Sequence, residues 1–155
     1  MKQAKVLTDK ELKKVIGYID AFDRHAERNR AIVLLGHCCG MRVSEVASLL
    51  VSDVINDRGE VNDVIHLSVE QTKGNDSRRV FLSKKAKSVL KRYLQSDLSV
   101  IQHTYLFQTQ KSKRFNTNAL TQLVKRLYER VVIVGATSHS GRRTFITKLA
   151  TSGVS

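Results

Sequence analysis

Four basic residues in a fixed chain order stand out by type: Arg42 in the run GMRVSEVASL, Lys73 in EQTKGNDSRR, and His139 with Arg142 in TSHSGRRTF. Each suits a phosphodiester. Arginine is always charged and its planar fork grips two oxygens at once, so two arginines can clamp one phosphate. Lysine and histidine shift their pKa readily in a site and can pass a proton to or from a reacting oxygen. Phosphoryl transfer on DNA needs charge neutralisation on the non-bridging oxygens, a proton for the leaving 5′ oxygen and an in-line nucleophile. The four residues meet the first two needs, and no nucleophile is visible among them.

Local patterns say which elements position these side chains. Thr8-Asp9-Lys10-Glu11 is a capping box, and Leu12, Val15, Ile16, Ile19 and Phe22 follow at three- and four-residue spacing, which predicts one apolar stripe on a helix. A second helix is expected over about 28–38, closed by Gly40, a favourable residue just past a helix end. A third begins near Val43, with Val46, Ala47, Leu49 and Leu50 facing inward. Arg42 therefore falls in a tight joint between two helices.

After Asp53 the period changes. Val64, His66 and Ser68 alternate with Ile65, Leu67 and Val69, and Arg79 and Phe81 read as part of a second short strand. Between the strands, 72–77 is a polar turn in which Gly74 and Asn75 supply positive φ, so Lys73 starts a hairpin tip. The helical period returns from Ser83, with Ala86, Val89, Leu90, Tyr93 and Leu94 on one face. Tyr105-Leu106-Phe107 reads as an anchored loop or short strand. Asn116 or Asn118 caps a helix with Leu120, Leu123, Val124, Leu127 and Val131 inward. A last helix follows Ser138 or Ser140 and runs toward Thr151, with Gly153 as its stop. His139 and Arg142, three apart at its start, would share a face beside the positive helix end.

The chain's 155 residues suit one domain, 1–155, with a core that needs neither disulfide nor metal. Cys38 and Cys39 are adjacent, a spacing that favours buried thiols over metal ligands. Apolar runs such as AIVLLG are too short to cross a bilayer, and no signal peptide is visible, so an intracellular protein is expected. Charge is uneven: residues 1–70 hold 10 Lys/Arg against 11 Asp/Glu, whereas residues 71–155 hold 17 against 3. The second half needs a polyanion. Nucleic acid fits better than an anionic membrane, because the basic residues are spread over several segments and form neither a polybasic tail nor a basic amphipathic helix.

On these residues the chain resembles the tyrosine recombinase, or phage integrase, family. The family's first box, Gly-x-Arg-x-x-Glu followed by Leu and Asp, matches Gly40, Arg42, Glu45, Leu49 and Asp53. Its hairpin lysine matches Lys73, and its His-x-x-Arg box matches His139 and Arg142, continued by Arg143, Thr144 and Phe145. The resemblance implies a mainly α, α+β fold: a helical catalytic domain with a small antiparallel β-sheet. It implies site-specific DNA recombination or integration through a 3′-phosphotyrosyl intermediate, on double-stranded DNA, in the bacterial cytoplasm at the nucleoid, with no cofactor and no metal. In these terms Arg42 and Arg142 hold the scissile phosphate, Lys73 is the general acid and His139 assists proton transfer. Glu45 braces an arginine or a histidine, although a plain helical ion pair also explains it, and a solvated turn lysine also explains Lys73.

The family's second His or Trp box and its tyrosine lie beyond His-x-x-Arg, past the point where this sequence stops, and the family's N-terminal clamping domain has no counterpart here. Tyr18, Tyr93, Tyr105 and Tyr128 all precede His139 and read as packing residues. This chain alone is therefore expected to bind DNA without cleaving it. A non-enzymatic DNA-binding remnant or regulator is the alternative, and a type IB topoisomerase relative a third reading. An exposed apolar groove near the last helix, with self-association, is also expected.

Overall fold

Thr8 accepts from the Glu11 amide at 3.1 Å and Glu11 accepts from the Thr8 amide at 3.0 Å, closing the expected capping box and starting α1, Asp9–Phe22. A computed structural model of the chain describes residues 4–74 and 76–152. Asn75 and Gly153, which the sequence marked as a turn and a helix stop, lie outside the described residues. Val15 and Ile19 of α1 are buried. Phe22 departs from the expected stripe: it is 75% exposed and packs on the Tyr18 ring at 5.1 Å, because the stripe runs past the core at the last turn.

The second helix, α2 (Ala26–Cys39), is buried along most of its length, and α1 and the later helices over 84–96 and 140–151 pack on it. It ends as expected at Gly40, whose φ of +70° is the left-handed conformation that a non-glycine residue pays to adopt. Cys39 is buried and Cys38 half-buried, both as free thiols.

The single helix expected from Val43 is two: α3, Val43–Ser48, and α4, Val51–Val54. Between them Leu49 accepts from the Leu106 amide at 3.0 Å, and the Val51 amide donates to Thr104 at 2.9 Å. This β-type pairing, centred on a Leu50–Tyr105 bridge, takes backbone groups that a continuous helix would need. It also anchors the Tyr105-Leu106-Phe107 segment, whose Leu106 and Phe107 enter the core.

Strands β1 (Val64–Leu67) and β2 (Arg78–Phe81) pair antiparallel, with Ile65 opposite Val80 and Leu67 opposite Arg78. Ser83 caps α5, Lys84–Ser96, which buries Ala86, Val89, Leu90, Tyr93 and Leu94 as its pattern requires. A 3-10 turn, Leu98–Gln102, leads to α6, Thr117–Arg130, capped by Asn116. The last helix, α7, spans Ser140–Thr151. Its N-cap is His139, and neither Ser138 nor Ser140 serves; the Ser140 hydroxyl accepts from the Thr137 amide at 2.9 Å in the preceding loop. The fold is thus α+β and mainly α, with a small antiparallel sheet. Among the described residues no helix is long and apolar enough to cross a membrane.

Candidate functional site

Arg42 sits at the N-cap of α3, and its backbone N–H donates to Glu45 Oε1 at 2.9 Å, so the carboxylate caps the helix that follows the arginine. Glu45 is fully buried. Taking a carboxylate out of water costs several kcal/mol unless its lone pairs are filled. They are: Arg78 on β2 grips it with two bonds, Nε to Oε2 at 2.9 Å and Nη2 to Oε1 at 2.6 Å, and Arg42 Nη1 lies 3.4 Å from Oε2. Burial pushes the Glu45 carboxyl up, but Arg78, the Arg42 amide and the Arg42 charge outweigh it and hold the group below its ordinary value.

Helix α7 brings the second arginine to the same place. Arg142 Nη1 donates to the carbonyl of Gly40 at 2.8 Å, and Arg78 Nη2 lies 3.5 Å from the same oxygen. The approach depends on small residues. A Cβ on Gly141 would lie 3.1 Å from the Gly36 carbonyl carbon, so α7 seats its first turn directly on the α2 backbone. Thr144, buried, accepts from the Leu7 amide at 2.9 Å and ties α7 to the N-terminal segment.

Two guanidiniums therefore hold one carboxylate, and a third, Arg142, sits beside them on the Gly40 carbonyl. Burial lowers the Arg142 pKa first, then the Arg42 and Arg78 charges lower it further, with Glu45 opposing. Arginine stays charged under these conditions, so the cluster carries an excess of positive charge that an anion relieves. The Arg42 guanidinium, whose contact to Glu45 is the longest of the set and whose side chain is 45% exposed, is free to meet that anion.

His139 lies on the exposed start of α7 and lines a groove of about 280 Å³ with Arg142, Arg143 and Ile146. Ile146 is exposed and gives the groove an apolar side beside its cationic one. Lys73 is exposed on the β1–β2 connection at φ +57°. Among the described residues it is joined to none of the three arginines by hydrogen bond or ion pair. The structure thus brings Arg42, Glu45 and Arg142 into one cluster, sets His139 beside Arg142, and holds Lys73 on a separate loop.

Two members were not singled out from sequence. Arg78 has no motif of its own in the sequence, and its tie to Glu45 spans 33 positions with no local pattern. Gln71, in the same connection, donates to Asp53 Oδ2 at 2.8 Å and to the Ser48 carbonyl at 3.2 Å. The four tyrosines are packing residues, as expected. Tyr93 donates to the Leu106 carbonyl and Tyr128 pairs with His37 Nε2 at 2.9 Å; burial raises both phenols far above their ordinary value. Tyr18 packs on Phe22 and Tyr105 lies under Arg114.

The model of the phage integrase family matches residues 5–155. Transposase A from transposon Tn554 of Staphylococcus aureus is 30% identical over 164 residues, covering 98% of this chain and 43% of that protein. Tyrosine recombinase XerA of Thermococcus kodakarensis is 31% identical, covering 97% of this chain and 50% of its own. The crystal structure of XerA recombinase superposes with a TM-score of 0.77 at 28% identity, over 99% of this chain and 53% of that one. The Tn1549 transposon integrase, solved with circular intermediate DNA, shares the fold at a TM-score of 0.75 and 19% identity. The chain spans about half the length of the relatives it matches.

Proposed function

This chain belongs to the phage integrase family, and we propose that residues 1–155 form the phosphate-activating part of a site-specific recombinase acting on double-stranded DNA. The observation that carries the reading is the convergence of Arg42 and Arg142 on the Gly40–Glu45 joint, with positive charge in excess. Arg42 and Arg142 bind the non-bridging oxygens of the scissile phosphate. A tyrosine oxygen attacks phosphorus, the bond to the 5′ oxygen breaks, and Lys73 gives that oxygen its proton. His139 assists the proton transfers, and Glu45 braces Arg42. The 3′-phosphotyrosyl linkage conserves the bond energy, so religation needs no cofactor. The setting is the cytoplasm, at the nucleoid.

A second reading is a DNA-binding module without cleavage. It is favoured by the four tyrosines, each committed to packing. Strand cleavage separates the two. Incubated with nicked duplex, this chain alone should form no covalent adduct, whereas the same chain joined to a C-terminal segment carrying the family's tyrosine should form one that Arg142→Ala abolishes. Absence of an adduct from the joined chain, alongside salt-sensitive binding, would favour the module. The apolar side of the α7 groove is also where copies would associate; light scattering that reports a monomer at high concentration would exclude it.

A further inference from the structure

Lys73 stands on a hairpin of two four-residue strands, and a ribbon that small does not hold its own orientation in water. Its direction must come from contacts outside the ribbon, and two of them form a matched pair. Helices α3 and α4 follow one another, and each carries an acid in its first turn that turns back to cap its own start. Glu45 accepts from the Arg42 amide, and Asp53 Oδ2 accepts from the Leu50 amide at 2.9 Å. Each acid also takes one leg of the hairpin. Asp53 receives Gln71, just before Lys73; Glu45 receives Arg78, just after the connection ends.

The backbone between these anchors is folded tightly on its first leg. The amides of Thr72, Lys73 and Gly74 donate to Ser68, Glu70 and Val69 at 3.1, 3.2 and 3.0 Å. Thr72 is buried, with its hydroxyl 3.0 Å from the Val69 carbonyl. Lys73 itself has a left-handed φ, which a residue with a Cβ keeps only where its surroundings over-determine it.

From this double clamp we infer that Gln71 and Arg78 are positioning residues, which fix the Lys73 loop against the starts of α3 and α4 through the first-turn acids of those helices. The inference rests on the phosphoryl-transfer reading for its purpose, since a general acid works only within hydrogen-bond reach of the leaving oxygen. The clamp itself does not depend on that reading. It also explains why Glu45 is bonded more closely to Arg78 than to Arg42: the carboxylate ties down the hairpin and leaves the Arg42 guanidinium for the phosphate.

The test uses two variants. Gln71→Ala removes one anchor with no buried charge left behind, and the double variant Glu45→Gln, Arg78→Met removes the other without stranding a buried carboxylate. Amide hydrogen exchange of the free proteins comes first. Thr72, Lys73 and Gly74 should exchange faster by on the order of tenfold or more, since each variant loses two anchoring bonds, while the α5 amides hold their rate. Acylation of Lys73 with and without a 30-base-pair duplex comes second. DNA should shield Lys73 in the wild type and much less in Gln71→Ala, although that variant still binds the duplex.

Unchanged exchange at Thr72 and Gly74 in both folded variants would overturn the clamp. So would equal acceleration in α5, which would mark a general loss of stability. A wild type whose Lys73 gains no shielding from bound DNA would instead sink the general-acid reading, and the exchange data would still decide the clamp.

Discussion

Arg142 donates to the backbone carbonyl of Gly40 at 2.8 Å, a contact between residues 102 positions apart that joins the start of α7 to the turn before α3. The oxygen is aimed by the left-handed backbone of Gly40, so the same glycine that ends α2 also sets where the arginine rests. The placement of the cluster is therefore as much a matter of backbone geometry as of side-chain charge.

Gly40→Ala should be costly for that reason. The new Cβ would meet the Phe145 ring at 2.6 Å and sit on a φ of +70°, so stability should fall by about 2–4 kcal/mol, combining left-handed strain with overpacking. Urea unfolding of the variant checks the loss. A cost below about 0.5 kcal/mol, typical of unconstrained surface sites, would mean that the turn is not constrained.

Thr144→Val keeps the shape of a buried side chain and removes the acceptor for the Leu7 amide. A stranded buried N–H costs about 1–3 kcal/mol. The loss should appear in thermal unfolding, and hydrogen exchange at Leu7 should accelerate more than exchange in α5.

Much of this architecture is legible because it is local. The Thr8–Glu11 box, the apolar face of α5 and the Gly40 stop depend on neighbours within a few residues, and each forms as its pattern requires. The sequence boxes around Arg42 and Arg142 likewise name two residues that meet at the Gly40–Glu45 joint, whereas Lys73 stands on a separate loop. What escapes the sequence is pairing at a distance. The Leu50–Tyr105 bridge interrupts a helix that propensity alone would continue, and the Arg78–Glu45 pair makes a strand arginine the principal partner of a helix-start acid. Neither follows from periodicity, since both need the chain already folded.

His37 gives the protein an acid-side weakness. It lies on α2 against Tyr128 of α6 with Nδ1 unpaired, and burial, with a smaller effect of the Lys148 charge, pushes it down to about 4 from 6.5. Above pH 6.5 the ring is neutral in both the folded and the unfolded chain. Below it the unfolded chain takes up a proton that the folded chain refuses, so stability falls between pH 6.5 and 4, by on the order of 3 kcal/mol in all. Denaturant midpoints over this range should drop for the wild type and drop less for His37→Leu. Parallel slopes would assign the effect to other groups.

Glu45 acts in a lower window. Its folded value lies below the ordinary 4.5, so its stabilisation is present above that pH and is lost as pH falls through the folded value. Glu45→Gln should cost about 2–3 kcal/mol, in the range for hydrogen bonds to charged groups and moderated by the partial exposure of Arg78. Chemical unfolding at pH 7 measures it. A neutral substitution would mean that the carboxylate is not the anchor of the joint.

If Arg42 and Arg142 form one phosphate site, binding of a short duplex across a salt series must depend on both. The wild type should bind with a steep dependence on salt, and the Arg42→Ala, Arg142→Ala double variant should bind more weakly with a log–log slope shallower by about 1–2, as expected for lost phosphate contacts. Binding that is absent, or that keeps the same affinity and slope without both arginines, would mean that the two side chains form no common phosphate site.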